Sequence, residues 1–122
     1  QDAEGAGILN TRENIYINFF IHLLHMNLVS FSPSSRKGKK YEIVILKDNG
    51  RTQTIHFGSK TSQTYLDHKD KTKRDNYIAR HKVNEQWDEV NAGSLSRYIL
   101  WGDSTSLDAN LKAYLKRFGI KN

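Results

Sequence analysis

Apolar residues alternate with polar ones in two neighbouring runs, Tyr41 to Lys47 (YEIVILK) and Arg51 to Gly58 (RTQTIHFG), the period of a half-buried strand. Asp48-Asn49-Gly50 lies between them, and Asn-Gly between β-branched runs marks a hairpin. The two faces decide the register. A two-residue Asn49-Gly50 loop would set Tyr41, Ile43 and Ile45 beside Thr54 and His56, mixing apolar with polar. A three-residue loop with Gly50 in the left-handed conformation instead collects Tyr41, Ile43, Ile45, Ile55 and Phe57 on one face, and is the loop predicted. The other face, with Val44, Leu46, Thr52, Thr54 and His56, is half apolar and calls for partial cover.

Two strands are marginal alone, so helices must pack on the apolar face, with a third short strand near Thr64 to Leu66 as an optional extension. Asp67 or Asp70 can cap a helix running to about Lys82, in which Arg74, Tyr77, Ile78 and His81 share a face. A second helix is predicted from Gly93 to Trp101, with Leu95, Tyr98 and Ile99 inward, Asn91 or Ser94 as cap and Gly102 as stop. The last helix has the clearest stripe: Leu107, Leu111, Tyr114, Leu115 and Phe118. Thr105 with Asp108 resembles a capping box at its start, and Gly119 ends it. The fold class expected is α+β: a β-hairpin packed against two or three α-helices.

Ahead of the hairpin, Ser32 to Lys40 (SPSSRKGKK) reads as a mobile linker with a basic end. Residues 1–40 are therefore set outside the domain, and residues 41–122 form it. The only methionine is Met26, and the residues before it are rich in the amino acids that A/T-rich codons supply. Translation is accordingly expected to start at Met26, with residues 1–25 as upstream read-through. The apolar stretch Ile15 to Leu24 falls short of the roughly 20 residues that span a bilayer and is interrupted by Asn18 and His22. Asp2, Glu4 and Glu13 against Arg12 give the wrong charge for a secretory signal.

Composition adds three constraints. At 122 residues the chain holds one core, and the absence of cysteine removes disulfide frameworks and Cys-based zinc sites, favouring an intracellular or virion-interior setting. The net charge of +6 points to an acidic partner. Residues 26 to 122 hold 18 basic and 10 acidic residues, so the domain side of Met26 is more basic than the whole.

Catalytic patterns are missing. The chain has no GxSxG, no cysteine nucleophile, no phosphate loop and no HxxxH pair. A hairpin-then-helix nuclease would use His68 or His56 to activate water and His81 with Asn76 to hold a metal, but the spacing motif of such a site is not present. Asp88 and Glu89 are adjacent, and adjacent carboxylates rarely face one substrate. The residues thus point away from an enzyme, and no cofactor or metal is implied.

The stronger signal is basic. Arg36, Lys37, Lys39 and Lys40 cluster before the hairpin, and Lys69, Lys71, Lys73, Arg74, Arg80 and Lys82 follow it at helical spacing. Such cations contact phosphates, and Tyr77, Trp87, Tyr98 and Trp101 would stack on bases where exposed, or form core where not. His68, Asp70, Arg80, His81 and Arg97 form a second candidate cluster, conditional on their meeting in space.

The ordered blocks IHFGSK, YLDHKD, RDNYIARHKVNEQW, AGSLSRYILW and SLDANLKAYLKRFGI resemble a family of small uncharacterised proteins encoded by large double-stranded DNA viruses of algae and amoebae. The matching positions are Phe57 and Gly58; His68, Lys69 and Asp70; Tyr77, Ile78, Arg80 and His81; Trp87; Gly93, Ser96, Arg97 and Trp101; and Arg117 and Phe118. Leu95 stands where that pattern has an aromatic, and Tyr98 where it often has Trp, which weakens an aromatic cage. The resemblance implies viral origin and no particular activity. Together these readings lead to a non-enzymatic protein that associates with DNA or RNA with weak sequence preference, inside the infected cell or virion. The alternative is a protein–protein module, a minor virion component or host-factor adaptor, using an aromatic patch around Trp87, Tyr98 and Trp101.

Overall fold

The computed structural model describes residues 26–122, and the readings of the first 25 residues lie outside them. Four strands, β1 (Met26–Pro33), β2 (Lys39–Leu46), β3 (Thr52–Ser59) and β4 (Ile120–Lys121), form one mixed sheet in the order β3-β2-β1-β4. Helices α1 (Tyr65–His68), α2 (Lys71–Lys82) and α3 (Ala92–Leu95), a π-helical turn (Ser96–Leu100) and α4 (Leu107–Arg117) complete an α+β domain. Among the described residues no helix is long and apolar enough to cross a membrane.

The hairpin has the predicted register: Tyr41 opposes Phe57 and Ile43 opposes Ile55. Its loop closes through Lys47 N–H to the Arg51 carbonyl at 2.8 Å and Gly50 N–H to the Lys47 carbonyl at 3.0 Å, with Gly50 at φ +82°. The inner face buries Ile43, Ile45 and Phe57 against Leu95, Ile99 and Leu100, with Tyr114, Leu115 and Ile120 closing the core. Burying each large side chain contributes about 1.5–3 kcal/mol, so this cluster dominates folding.

The domain boundary at residue 41 is corrected. β1 pairs antiparallel with β2 along its length and in parallel with β4, so Met26 to Pro33 is an inner strand of the sheet. A bulge between Leu28 and Ser30 hides it from a period-two reading. Leu28 and Phe31, three residues apart, both pack on the core, while Val29 is left 55% exposed. Phe31 stacks on Tyr41 with centroids 5.3 Å apart and meets Phe57 at 6.0 Å. The arm is likewise corrected to a fastened turn. Ser34 N–H donates to the Lys40 carbonyl (3.1 Å), Lys39 N–H to the Arg36 carbonyl (3.2 Å) and Ser35 N–H to Glu42 Oε1 (2.7 Å). That last bond holds the Glu42 carboxyl below the usual carboxylate range.

No strand forms at residues 64–66. Thr64 instead caps α1, its N–H donating to Asp67 Oδ2 at 2.7 Å, and this bond lowers the Asp67 carboxyl's affinity for protons. The predicted Gly93–Trp101 helix divides into α3, capped by Asn91, and the π-helical turn, whose wider ring closes through Trp101 N–H to the Ser96 carbonyl at 3.0 Å. Ser106, rather than Thr105, caps α4 by accepting from Ala109 N–H, and Gly119 at φ +65° turns the chain back into β4.

Gly58 shows how tightly β3 meets the helices. Its φ is +79°, and a Cβ there would lie 2.8 Å from Leu100 Cδ1 and 3.0 Å from Lys40 Cβ. Gly58→Ala should therefore cost about 1–3 kcal/mol, read as a lower urea midpoint at unchanged slope.

Candidate nucleic-acid interface

The first basic stretch is fastened to the segment that leads into the second. The β1–β2 turn carries exposed Arg36, Lys37 and Lys39. It is tied to the segment leaving β3 by Lys60 N–H to the Gly38 carbonyl (3.0 Å) and by Lys40 Nζ to the Ser62 carbonyl (2.8 Å). That segment runs into α1 and then α2, where Lys69, Lys71 and Lys73 are exposed. Lys40 also lies close enough to Asp67 to favour its ionised form. Local chemistry builds the corner: Lys69 takes a left-handed φ of 57° to end α1, and Asp70 then caps α2, accepting from Thr72 N–H (2.9 Å) and Lys73 N–H (3.2 Å). Asp70 is thus a helix cap, not a free carboxylate.

Arg74 is not presented to a ligand. Its Nε donates to the Gly102 carbonyl at 2.8 Å and the Trp101 carbonyl at 3.3 Å, its Nη2 pairs with Asp103 at 2.7 Å, and its side chain is only 12% exposed. It satisfies carbonyls that the π-helical turn leaves without intrahelical donors. Lys82, at the far end of α2, is also apart from the basic end. It borders a groove of about 990 Å³ walled by Trp87, Val90, Tyr98 and Phe118, with Arg117 at its edge.

The second cluster does not converge into one site. Four rings form a column from His68 through Trp101 and Tyr77 to His81, with centroids 5.3, 4.3 and 4.0 Å apart. Tyr77 and Trp101 are nearly parallel, at 5°. The histidines therefore occupy opposite ends of the column. His81 Nδ1 meets Glu85 Oε2 at 2.5 Å, and Glu85 Oε1 accepts from Trp87 Nε1 at 2.8 Å. Arg97 lies over Trp87 (5.4 Å) and Tyr98 (4.9 Å) and donates from Nη1 to the Trp101 carbonyl (2.9 Å). Its Nε is buried with no partner among the described residues, and burial together with the nearby Arg74 charge lowers its pKa from the ordinary guanidinium value.

At the other end His68 and Arg80 do share a recess, of about 250 Å³, with Gln63, Lys73, Asn76 and Trp101. Lys73, Asn76 and Arg80 fall at i, i+3 and i+7 on α2, so the spacing of one helical face was legible. The return of Trp101 and Gln63 to that face was not, because both arrive from other elements. His56, the other candidate for activating water, lies away from this recess: its Nδ1 hydrogen-bonds Ser34 Oγ at 2.7 Å, 3.7 Å from Glu42. Among the described residues no group of three or more His, Asp or Glu side chains is placed to hold a metal ion.

No curated protein and no solved structure matches this chain. Residues 29–81, from within β1 almost to the end of α2, match a family of unknown function, DUF5754.

Proposed function

We propose that the protein is a small, basic, non-enzymatic protein of a large DNA virus that associates with nucleic acid through the phosphate backbone. The observation that carries this reading is the fastening of the β1–β2 turn to the loop before α1. It brings the turn with Arg36, Lys37, Lys39 and Lys40 against the segment that leads to Lys69, Lys71 and Lys73, some thirty residues further along the chain, and supports reading the two as one basic end. Of the carboxylates near these cations, Glu42, Asp67 and Asp70 each accept backbone N–H groups and stabilise the local turns, while Asp75 pairs with Arg74. Cations on an ordered turn and a helix start suit a backbone of repeating phosphates, which explains binding with little sequence preference. The setting is the infected cell or the virion interior.

Fluorescence anisotropy with DNA and RNA duplexes over a salt series tests the reading. The logarithm of the association constant should fall linearly with that of salt, and replacing Arg36, Lys37 and Lys39 together by Ala should reduce the duplex slope by about 0.9 for each phosphate no longer neutralised. Absence of binding at low salt, or binding that ignores salt, overturns it.

The groove walled by Trp87, Val90, Tyr98 and Phe118 favours a second reading, a protein–protein module such as a minor virion component or host-factor adaptor. Trp101 stands outside that groove, in the ring column, so the aromatic patch is smaller than the sequence suggested. Pull-down from infected cells that is lost with Trp87→Ala and retained with the triple turn variant supports the module instead.

A further inference from the structure

We infer that the recess between α1, α2 and Trp101 is a subsite for one unstacked nucleotide of a single strand, an inference that rests on the nucleic-acid reading above. Its lining supplies what a nucleotide needs and lacks what would repel it. Lys73 and Arg80 stand about 10 Å apart along α2 and bring two cations, while no carboxylate of the described residues lines the recess. Asn76, between them, and Gln63 opposite present amide donors and acceptors suited to a base edge.

The aromatic wall is fixed in advance. Trp101 is held by Tyr77 stacked 4.3 Å away, and its own backbone carbonyl accepts from both Arg74 and Arg97. Tyr77 and His68 flank the Trp101 ring, so a base meets only the part they leave open, and a ring immobilised in the free protein loses little entropy on that contact. His68 Nδ1 accepts the Asp70 N–H, so in the neutral ring Nε2 carries the proton, and among the described residues that buried nitrogen has no acceptor. His68, one of the residues lining the recess, thus keeps a buried donor that no described residue uses.

Size sets the class of ligand. At about 250 Å³ the recess lies below the usual range of drug-sized pockets, about 300–1,000 Å³, and accepts one base or sugar-phosphate unit. A base paired and stacked within a duplex cannot enter it. The basic end would hold the backbone while the recess takes a single extruded nucleotide, giving a preference for single strands that phosphate contacts alone do not supply.

The test uses the full chain and three probes: an oligothymidylate of about ten nucleotides, a duplex of the same length, and thymidine monophosphate. Asn76→Ala and Arg80→Ala alter exposed positions of α2, and their melting temperatures report that the fold is kept. The ratio of single-strand to duplex affinity should fall about tenfold in each variant, the scale of one hydrogen bond to the nucleotide left unmade. The indole N–H resonance of Trp101 should shift with the oligothymidylate and stay unmoved with the duplex. An unchanged ratio with wild-type binding intact overturns the subsite and leaves the phosphate reading standing. Binding of the mononucleotide as tight as that of the strand overturns the strand assignment, and failure of wild type to bind either polymer removes both readings.

Discussion

Gly102→Ala is expected to lower stability by about 4 kcal/mol, combining overpacking with the disruption of buried hydrogen bonds. The reason is geometric. A Cβ on Gly102 would lie 2.3 Å from the Tyr98 carbonyl oxygen and 2.7 Å from Asn110 Cγ, and neither neighbour can retreat. Tyr98 belongs to the π-helical turn, while Asn110 is 2% exposed and donates from Nδ2 to the Ile99 carbonyl at 2.9 Å and the Ser104 carbonyl at 2.7 Å. Its Oδ1 also accepts from Ser104 N–H at 3.0 Å. Asn110 thus fastens the end of the π-helical turn to the start of α4, and displacing it leaves buried carbonyls without donors. Because domains are stable by only about 5–15 kcal/mol, this substitution should remove much of the margin. Urea denaturation followed by far-ultraviolet circular dichroism checks it, and a midpoint unchanged from wild type would mean that the turn can relax around a methyl group.

The hairpin was legible in the sequence, because Asn49-Gly50 and the five apolar residues on one face leave only one consistent register. So was the stripe of α4, because its period is regular, although its cap moved by one residue to Ser106. β1 was not, because the bulge after Leu28 breaks the alternation and the serines with Pro33 imitate a linker. Nor was the π-helical turn, because its end is held by donors from other elements, Asn110 on the Ile99 carbonyl and Arg74 on that of Trp101, beside Arg97 of the turn itself.

The same distinction governs the candidate site. Charge runs are local, so the basic stretches could be read directly, but which cations serve the fold is a tertiary fact. Arg74 and Lys73 are neighbours in sequence. One is drawn under the domain to Gly102 and Asp103, and the other faces outward in a recess whose aromatic wall comes from Trp101. The match to residues 29–81 takes in the basic turn and most of α2 but ends before Trp101, so the recess combines residues from within and beyond the matched segment.

Tyr77 and Tyr114 make the domain sensitive to alkali in a defined window. Tyr77 is 8% exposed between the rings of Trp101 and His81, and burial, reinforced by the Glu85 carboxylate, pushes its hydroxyl up to about 12 from the ordinary 10.0. Tyr114 is fully buried in the core with its hydroxyl 2.8 Å from Ser94 Oγ, and desolvation pushes it likewise to about 12. Between pH 10 and 12 the folded chain therefore holds two protons that the unfolded chain releases. Stability is undiminished by this linkage below pH 10 and declines as pH rises, at about 3 kcal/mol per pH unit for the pair, reaching a loss of about 5 kcal/mol near pH 12. Tyr114→Phe should lower stability at neutral pH by about 1 kcal/mol through the missing hydrogen bond, yet roughly halve the decline above pH 10. Urea midpoints measured at half-unit steps across this window, alongside tyrosinate absorbance, separate the two effects. Parallel declines in wild type and variant would show that Tyr114 ionises as readily in the fold as in water.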